Sequence, residues 1–223
     1  VKQINSFSAM PVQPLLPKLS ELRAQAERWK TIQRQVRAAL QVNAFLALGM
    51  GIGLFTLAPL AMEILLSRPA TAAELASMRV ACVIYALFSL NGTGYYVLLG
   101  MNGVRSFMII QLASGCLALG LVTLGSRYSL LAAVAGNAGY LGVWAFSVLG
   151  VRLARVPIST WRGWIDPALL WFGTAIATAL VLPRSASPSV LWAVALAQCL
   201  VLTIWFVRQQ PALIRHQRIP PAR

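Results

Sequence analysis

Apolar residues in this chain fall into long runs rather than stripes or alternation. They dominate 42–65, 80–99, 107–124, 130–151, 167–182 and 190–207, six stretches separated by short polar segments. A helix of about 20 apolar residues crosses the roughly 30 Å hydrocarbon core of a bilayer. Within lipid, only helices or closed barrels satisfy every backbone polar group, and these runs are too continuous for barrel strands. The pattern predicts an all-α, polytopic transmembrane helical bundle of about six full spans plus a partial N-terminal helix. Asp166 before Pro167, and Ser187 before Pro188, each read as an N-cap followed by a first helical residue. Trp161 and Trp164 stand just ahead of the fifth run, where an interfacial aromatic anchor is expected.

Three segments depart from this pattern. In 18–40, Leu19, Leu22, Ala26, Trp29, Ile32, Val36 and Leu40 recur at spacings of three and four. Arg23, Arg28, Lys30, Arg34 and Arg37 fill the other faces, with Glu27 one turn from Arg23 and Lys30. This predicts a cytoplasmic amphipathic helix lying in the membrane interface, its cations against anionic lipid headgroups. The plainer alternative is a solvated connector. In 1–17, Pro11, Pro14 and Pro17 recur every third residue, and Lys2, Asn5, Ser6 and Gln13 form a polar stripe on a helix. If Pro17 marks the cytoplasmic end, Lys2 lies roughly 22 Å above it. A lysine at that depth needs a water-filled cavity or a partner. The segment is read as the end of a cavity-lining transmembrane helix, the alternative being a frayed end. The chain opens on Val without a signal-peptide pattern, and its first residues read as the middle of an element. The expectation is a fragment whose N-terminal part is missing. Residues 208–223 read as a basic cytoplasmic tail following the 42–207 bundle.

Composition agrees with the pattern. Hydrophobic residues make up 58% and charged residues 11%, with a mean hydropathy of +0.71, whereas soluble chains carry about 25% charge. The net charge of +14 does not point to nucleic acid, because the cations sit in short segments between apolar runs. They instead set orientation. Lys18, Arg23, Arg28, Lys30, Arg34, Arg37, Arg105, Arg152, Arg155, Arg162, Arg208, Arg215, Arg218 and Arg223 fall on one side, against Arg68, Arg79, Arg127 and Arg184 on the other. The richer side is expected to be cytoplasmic, with the C-terminus inside. Cys82, Cys116 and Cys199 lie within apolar runs and His216 in the tail, with no metal-ligand spacing, so buried inert thiols and no metal or cofactor are expected.

The stretch Pro17-Lys18-Leu19-Ser20-Glu21-Leu22-Arg23-Ala24 resembles the Pro-x-hydrophobic-Ser-x-Leu-x-Ala signature of polysaccharide-export flippases. These belong to the multidrug, oligosaccharidyl-lipid and polysaccharide exporter superfamily. In that family the signature closes a transmembrane helix at the cytoplasm, and a basic amphipathic stretch follows. Leu98-Leu99-Gly100-Met101-Asn102-Gly103-Val104-Arg105 is similar to the family's short cytoplasmic hairpin, and 125–129 to its short outer turn. Ser129-Leu130-Leu131-Ala132-Ala133 stands where the family often has Gly-x-x-Gly-Ala. The resemblance implies one lobe of a two-lobe exporter, its C-terminal half, with the missing N-terminal lobe as partner. It also implies residence in a bacterial inner membrane and movement of a lipid-linked oligosaccharide or polysaccharide repeat unit across it by alternating access.

Such a polar headgroup needs a hydrated cavity. The residues expected to line it are Lys2, Asn5 and Gln13 on the first stripe, and Ser89, Thr93 and Tyr96 on one face of the second run, with Asn91, Gly92 and Gly94 making that helix locally soft. Asn137, Tyr140 and Trp144 share a face of the fourth run. The competing reading of each cluster is helix packing through interhelical hydrogen bonds, worth about 0.6–2 kcal/mol apiece. Gly49, Gly51 and Gly53 lack the strand–turn–helix context of a dinucleotide fingerprint and read as close packing or a hinge. The carboxylates Glu21, Glu27, Glu63, Glu74 and Asp166 all avoid span centres, so no proton or sodium relay is visible. That disfavours the alternative of a multidrug antiporter. A membrane glycan polymerase or ligase is disfavoured because the longest outer loop, 66–79, is short and no nucleophile–base pair is present, so the chain is read as no enzyme.

Overall fold

The structure is a computed structural model that describes residues 3–23, 29–182 and 186–215, with side chains described except at 23, 158–164 and 209–215. Among the described residues it is all-α, and it is that of a multi-pass membrane protein. Five helical segments are long and apolar enough to cross a bilayer: Trp29–Thr56, Ala72–Gly100, Val104–Ser126, Leu130–Leu153 and Pro188–Arg208. A shorter apolar helix, Ile165–Val181, corresponds to the fifth run.

The chain begins with α1 (Gln3–Ala9), a 3-10 turn over Met10–Val12, and α2 (Leu15–Arg23). The prolines explain this break. Pro11 lies within the 3-10 turn and Pro14 follows it, and neither offers an N–H to continue a helix. Pro17 does not close a helix, as the resemblance implies. It is the third residue of α2, in the first turn, where its missing N–H costs nothing. The straight-helix depth assigned to Lys2 therefore does not carry over, and Lys2 itself lies outside the described residues.

The span α3 (Trp29–Thr56) absorbs much of the predicted interfacial segment. Residues 29–40 are not a separate element but the first three turns of this helix. Their stripe packs on protein: Ile32, Val36 and Leu40 are buried, as are Leu19 and Leu22 of α2. Three-and-four spacing specifies one apolar face, and lipid and neighbouring helices satisfy it equally well. Arg34 and Arg37 are half-buried and Lys30 is exposed. Arg28 lies outside the described residues, and so do the side chains of Arg23, Trp161 and Trp164.

After α3, Leu57 interrupts the helix and Pro59 opens the first turn of α4 (Ala58–Leu66). The expected 66–79 loop is mostly helix. Thr71 and Glu74 form a reciprocal capping box that starts α5 (Ala72–Ser89) eight residues early, and Glu74 also pairs with Arg68 at 2.7 Å. The fifth span likewise starts earlier than predicted. Helix α10 (Ile158–Val181) begins after Pro157 and contains Pro167, so Asp166 is inside a helix rather than capping one. Pro188 does open α11, which continues to Arg215, beyond the predicted end at 207. His216 lies outside the described residues.

Helix α3 is the hub, packing against α1, α5, α10 and α11. Gly51 permits this: a Cβ there would meet the Ala86 Cβ at 2.5 Å and the Phe172 ring at 3.3 Å. Since lipid is as apolar as leucine, such close approach and buried hydrogen bonds drive helix association. Thr56 Oγ1 donates to Gln198 Oε1 at 2.8 Å, and Gln198 Nε2 donates to the Ala175 carbonyl at 3.0 Å, tying α3, α11 and α10 together.

The remaining spans form a hairpin. α6 (Gly92–Gly100) leads into α7 (Val104–Ser126), followed by α8 (Leu130–Gly136), a 3-10 segment Asn137–Val143, and α9 (Trp144–Leu153). The 3-10 winding repeats every three residues. It therefore aligns Gly136, Gly139 and Gly142 against α7, where added Cβ atoms would fall 2.5–2.7 Å from Val122, Ala118 and Ser114. The outward face of α7 is apolar and exposed, including Ile109, Leu112 and Leu119. Cys116 shares that exposure, contrary to the expectation of a buried thiol, while Cys82 is buried.

Two turns at the arginine-rich end are Schellman motifs with a non-glycine residue in the left-handed region. Asn102 (φ 63°) ends α6, with Gly103 N–H bonded to the Leu98 carbonyl at 2.7 Å. Arg155 (φ 53°) ends α9, with Val156 N–H bonded to the Val151 carbonyl at 3.0 Å. The Arg155 conformation is held from α3. Its guanidinium lies 4.4 Å from the Trp29 ring centroid, and its carbonyl accepts from Gln33 Nε2 at 2.6 Å.

Candidate functional site

The second span is broken at its polar centre. Leu90 and Asn91 bond back three residues, to the Leu87 and Phe88 carbonyls, before Tyr95 resumes four-residue bonding to Asn91. Three side chains from outside brace this break. Asn43 Nδ2 of α3 donates to the Ser89 carbonyl at 2.9 Å, and Trp144 Nε1 of α9 donates to the Leu87 carbonyl at 3.0 Å. Ser147 Oγ donates to Asn91 Oδ1 at 3.2 Å, while Asn91 Nδ2 donates to the Phe88 carbonyl at 3.1 Å. On the far side of the break, Thr93 Oγ1 donates to the Ala39 carbonyl at 3.2 Å.

A cavity of about 450 Å³ opens beside this break, many times what a water molecule needs. Asn5 and Ala9 of α1 form one wall, and Asn91, Gly92, Tyr95 and Tyr96 another. Phe88, Phe107, Gln111, Val143 and Phe146 complete it. Tyr95 organises the aromatic part, with its ring centroid 4.9 Å from that of Tyr96, 5.1 Å from Phe107 and 6.5 Å from Phe146, all near edge-to-face. The lining is three amides, two phenols and hydrocarbon. No charged side chain is among the described lining residues.

The structure thus brings together Asn5, Asn91 and Tyr96 from the sequence-derived candidates. It places the other described candidates elsewhere, and Lys2 lies outside the described residues. Ser89 and Thr93 are fully buried and bond backbone carbonyls, Ser89 Oγ donating to Tyr85. Asn137 donates to the Val134 carbonyl, Tyr140 meets Phe88 edge-on at 5.9 Å, and Trp144 grips the break. Gln13 is exposed on the turn between α1 and α2. The shared faces predicted for these residues assume unbroken α-helices. Tyr95 lies one helical turn from Asn91 and two from Phe88, so it shares the cavity face with them, whereas Ser89 and Thr93 lie on the neighbouring face.

Sequence reasoning missed Tyr95, Gln111 and Asn43. Gln111 is a polar residue in an otherwise apolar run, a signal that was legible. Asn43 carried no such contrast, lying at the polar edge of the first run. It is 1% exposed, and its Oδ1 has no hydrogen-bond partner among the described residues. That oxygen is 3.2 Å from where a Gly92 Cβ would stand, and the same point is 3.5 Å from the Ala9 Cβ, so the missing side chain at Gly92 keeps the acceptor close to the cavity wall.

Chemically, the cavity can accept and donate neutral hydrogen bonds and offer ring faces and edges to apolar surface. It has no nucleophile–base pair and no acid among its described residues. No family model, curated protein or solved structure matches this chain.

Proposed function

We propose that the chain is one lobe of a membrane flippase that carries lipid-linked oligosaccharide or polysaccharide repeat units across a bacterial inner membrane, its arginine-rich end in the cytosol. The cavity beside the broken second span supports this reading most. A glycan presents alternating C–H faces and hydroxyl rims, and that surface matches aromatic rings interleaved with Asn5, Asn91 and Gln111. A cation-exporting antiporter would be expected to hold its substrate with embedded carboxylates, and none is among the described residues lining this cavity. The charged diphosphate of such a substrate needs a cation. Lys2, immediately before α1 in sequence, is the residue we assign to it. The tail of the carrier lipid stays in the bilayer while the headgroup crosses, and movement of this lobe against a second one exposes the cavity to each side in turn.

The reading is tested by deleting the full gene in a strain without a second exporter and scoring surface glycan by lectin or antibody. Loss of display, restored by the wild-type gene, is expected. Normal display after clean deletion contradicts it.

A further inference from the structure

One wall of the cavity beside the broken span is unlike the rest. Helix α1 has seven residues, whereas the other walls belong to segments long enough to cross the membrane. It is packed on one side only. Ile4, Ser8 and Ala9 are buried, and the helix lies against α3, α5 and α6, while Gln3, Ser6 and Phe7 are exposed. Its link to α2 is poor in hydrogen bonds. Pro11 and Pro14 have no N–H to give, and the Gln13 N–H is shared between the Ala9 and Met10 carbonyls at 3.2 and 3.3 Å. A 3-10 stretch between helices, as at Met10–Val12, often marks a hinge. A second cavity, of about 440 Å³, lies towards the arginine-poor end between α3, α5 and α10. The shortest of those helices has 18 residues, so that cavity has no comparable wall.

The short wall also shuts in an acceptor. The Ala9 Cβ and Asn43 Oδ1 stand 3.5 and 3.2 Å from the point a Gly92 Cβ would occupy. Asn43 is 1% exposed and its Oδ1 has no hydrogen-bond partner among the described residues. An acceptor kept from water and unbonded is costly, so outward movement of α1 gains free energy when a donor arrives. We propose that α1 is a gate: it swings out about the Met10–Val12 turn, widening the cavity for the headgroup and letting a hydrogen-bond donor reach Asn43 Oδ1. Room is needed because about 450 Å³ suits a drug-sized ligand, and a repeat unit of several sugars is larger. That need rests on the transport reading above; the movement does not.

Two measurements on the full protein in native membranes, with the native cysteines replaced except where stated, test this. The first is independent of transport. Ser8→Cys, on the packed side of α1, is compared with a protein whose single cysteine is Cys82, buried with Phe55 and Ala179; both native side chains are 0% exposed. A water-soluble maleimide should label Cys at 8 at least tenfold faster than Cys82. The second locks the gate. Ala9→Cys with Gly92→Cys places two Cβ atoms about 3.5 Å apart, within disulfide range. Oxidation of cells carrying this pair should cut newly displayed glycan at least tenfold, reduction should restore it, and neither single variant should respond. If the pair fails to give a monodisperse peak, the labelling of Ser8→Cys decides alone. Equally slow labelling at 8 and 82 overturns the gate, whatever the fate of the transport reading. Undiminished display from the cross-linked pair also overturns it, and leaves that reading standing.

Discussion

The two cavities are alike in size, about 450 and 440 Å³, and both are built along the same span, yet their walls are opposite in kind. The one at the arginine-poor end uses an unbroken helix. Leu75, Ala76, Arg79, Val80 and Val83 of α5 reach it at spacings of one, three and four, as a single helical face must. The other uses a broken helix. Asn91, Gly92, Tyr95 and Tyr96 all reach the same space, together with Phe88 from before the break. An intact amphipathic face therefore gives a slot of one character with a lone charge. The interrupted helix reaches its cavity with the same three-and-four spacing, and its mixed surface comes from the residues placed there, two phenols and an amide beside Phe88. The interruption needs bracing, which is why Ser89, Thr93, Asn43 and Trp144 serve the helix rather than the ligand.

If that contrast is sound, the broken-helix cavity should depend most on the glycine that lets α6 meet α9. A Cβ on Gly94 would stand 2.5 Å from the Ser147 amide nitrogen and 2.6 Å from its Cα, backbone that cannot swing aside. Gly94→Leu should cost about 3 kcal/mol or more, seen as loss of the monodisperse peak in fluorescence-detected size exclusion. Gly53→Leu, with nothing within 4 Å, should keep it.

Next in size is Tyr95→Ala, which removes a ring from three edge-to-face contacts worth about 0.5–1.5 kcal/mol each. Glycan display in the complemented deletion strain should fall at least tenfold, and Tyr95→Phe should restore most of it. A similar tenfold loss from Leu112→Ala, on the exposed face of α7, would remove the distinction between cavity and lipid-facing wall.

Asn43→Leu probes the brace. It deletes the bond to the Ser89 carbonyl and should lower thermal stability by about 0.6–1.7 kcal/mol. Smallest is the comparison of two cations: Lys2→Ala should lower display more than Arg127→Ala, which alters an exposed helix end. Equal effects would leave the diphosphate without its assigned partner.

The sequence announced the membrane bundle through run length, and the boundaries it mistook were set by short-range chemistry. The Thr71–Glu74 capping box was present in the sequence but was outweighed by the polar look of 66–79, so α5 was expected to begin late. At Asp166-Pro167 the error ran the other way: a strong start signal lies inside a helix because Pro157 had already opened it. The stripe from Leu19 to Leu40 gave the right face and the wrong neighbour. Within the cavity, Asn5 was legible from the polar stripe of 1–17, and Asn91 and Tyr96 as polar residues in the second apolar run. Tyr95, one turn from Asn91 on the same face, was missed because the polar stripe was drawn through Ser89 and Thr93, which lie on the neighbouring face.

The central claim is that water and a polar headgroup reach the space beside the broken helix. Gln111 and Leu112 are neighbours on α7, one lining that cavity and the other on the lipid-facing side. With the native cysteines replaced, Gln111→Cys and Leu112→Cys should be treated in cells with a water-soluble maleimide, with and without accumulated lipid-linked glycan. The account predicts fast labelling at 111 that the glycan suppresses, and negligible labelling at 112. Equal labelling at both positions, or labelling at 111 that the glycan leaves unchanged, would contradict it.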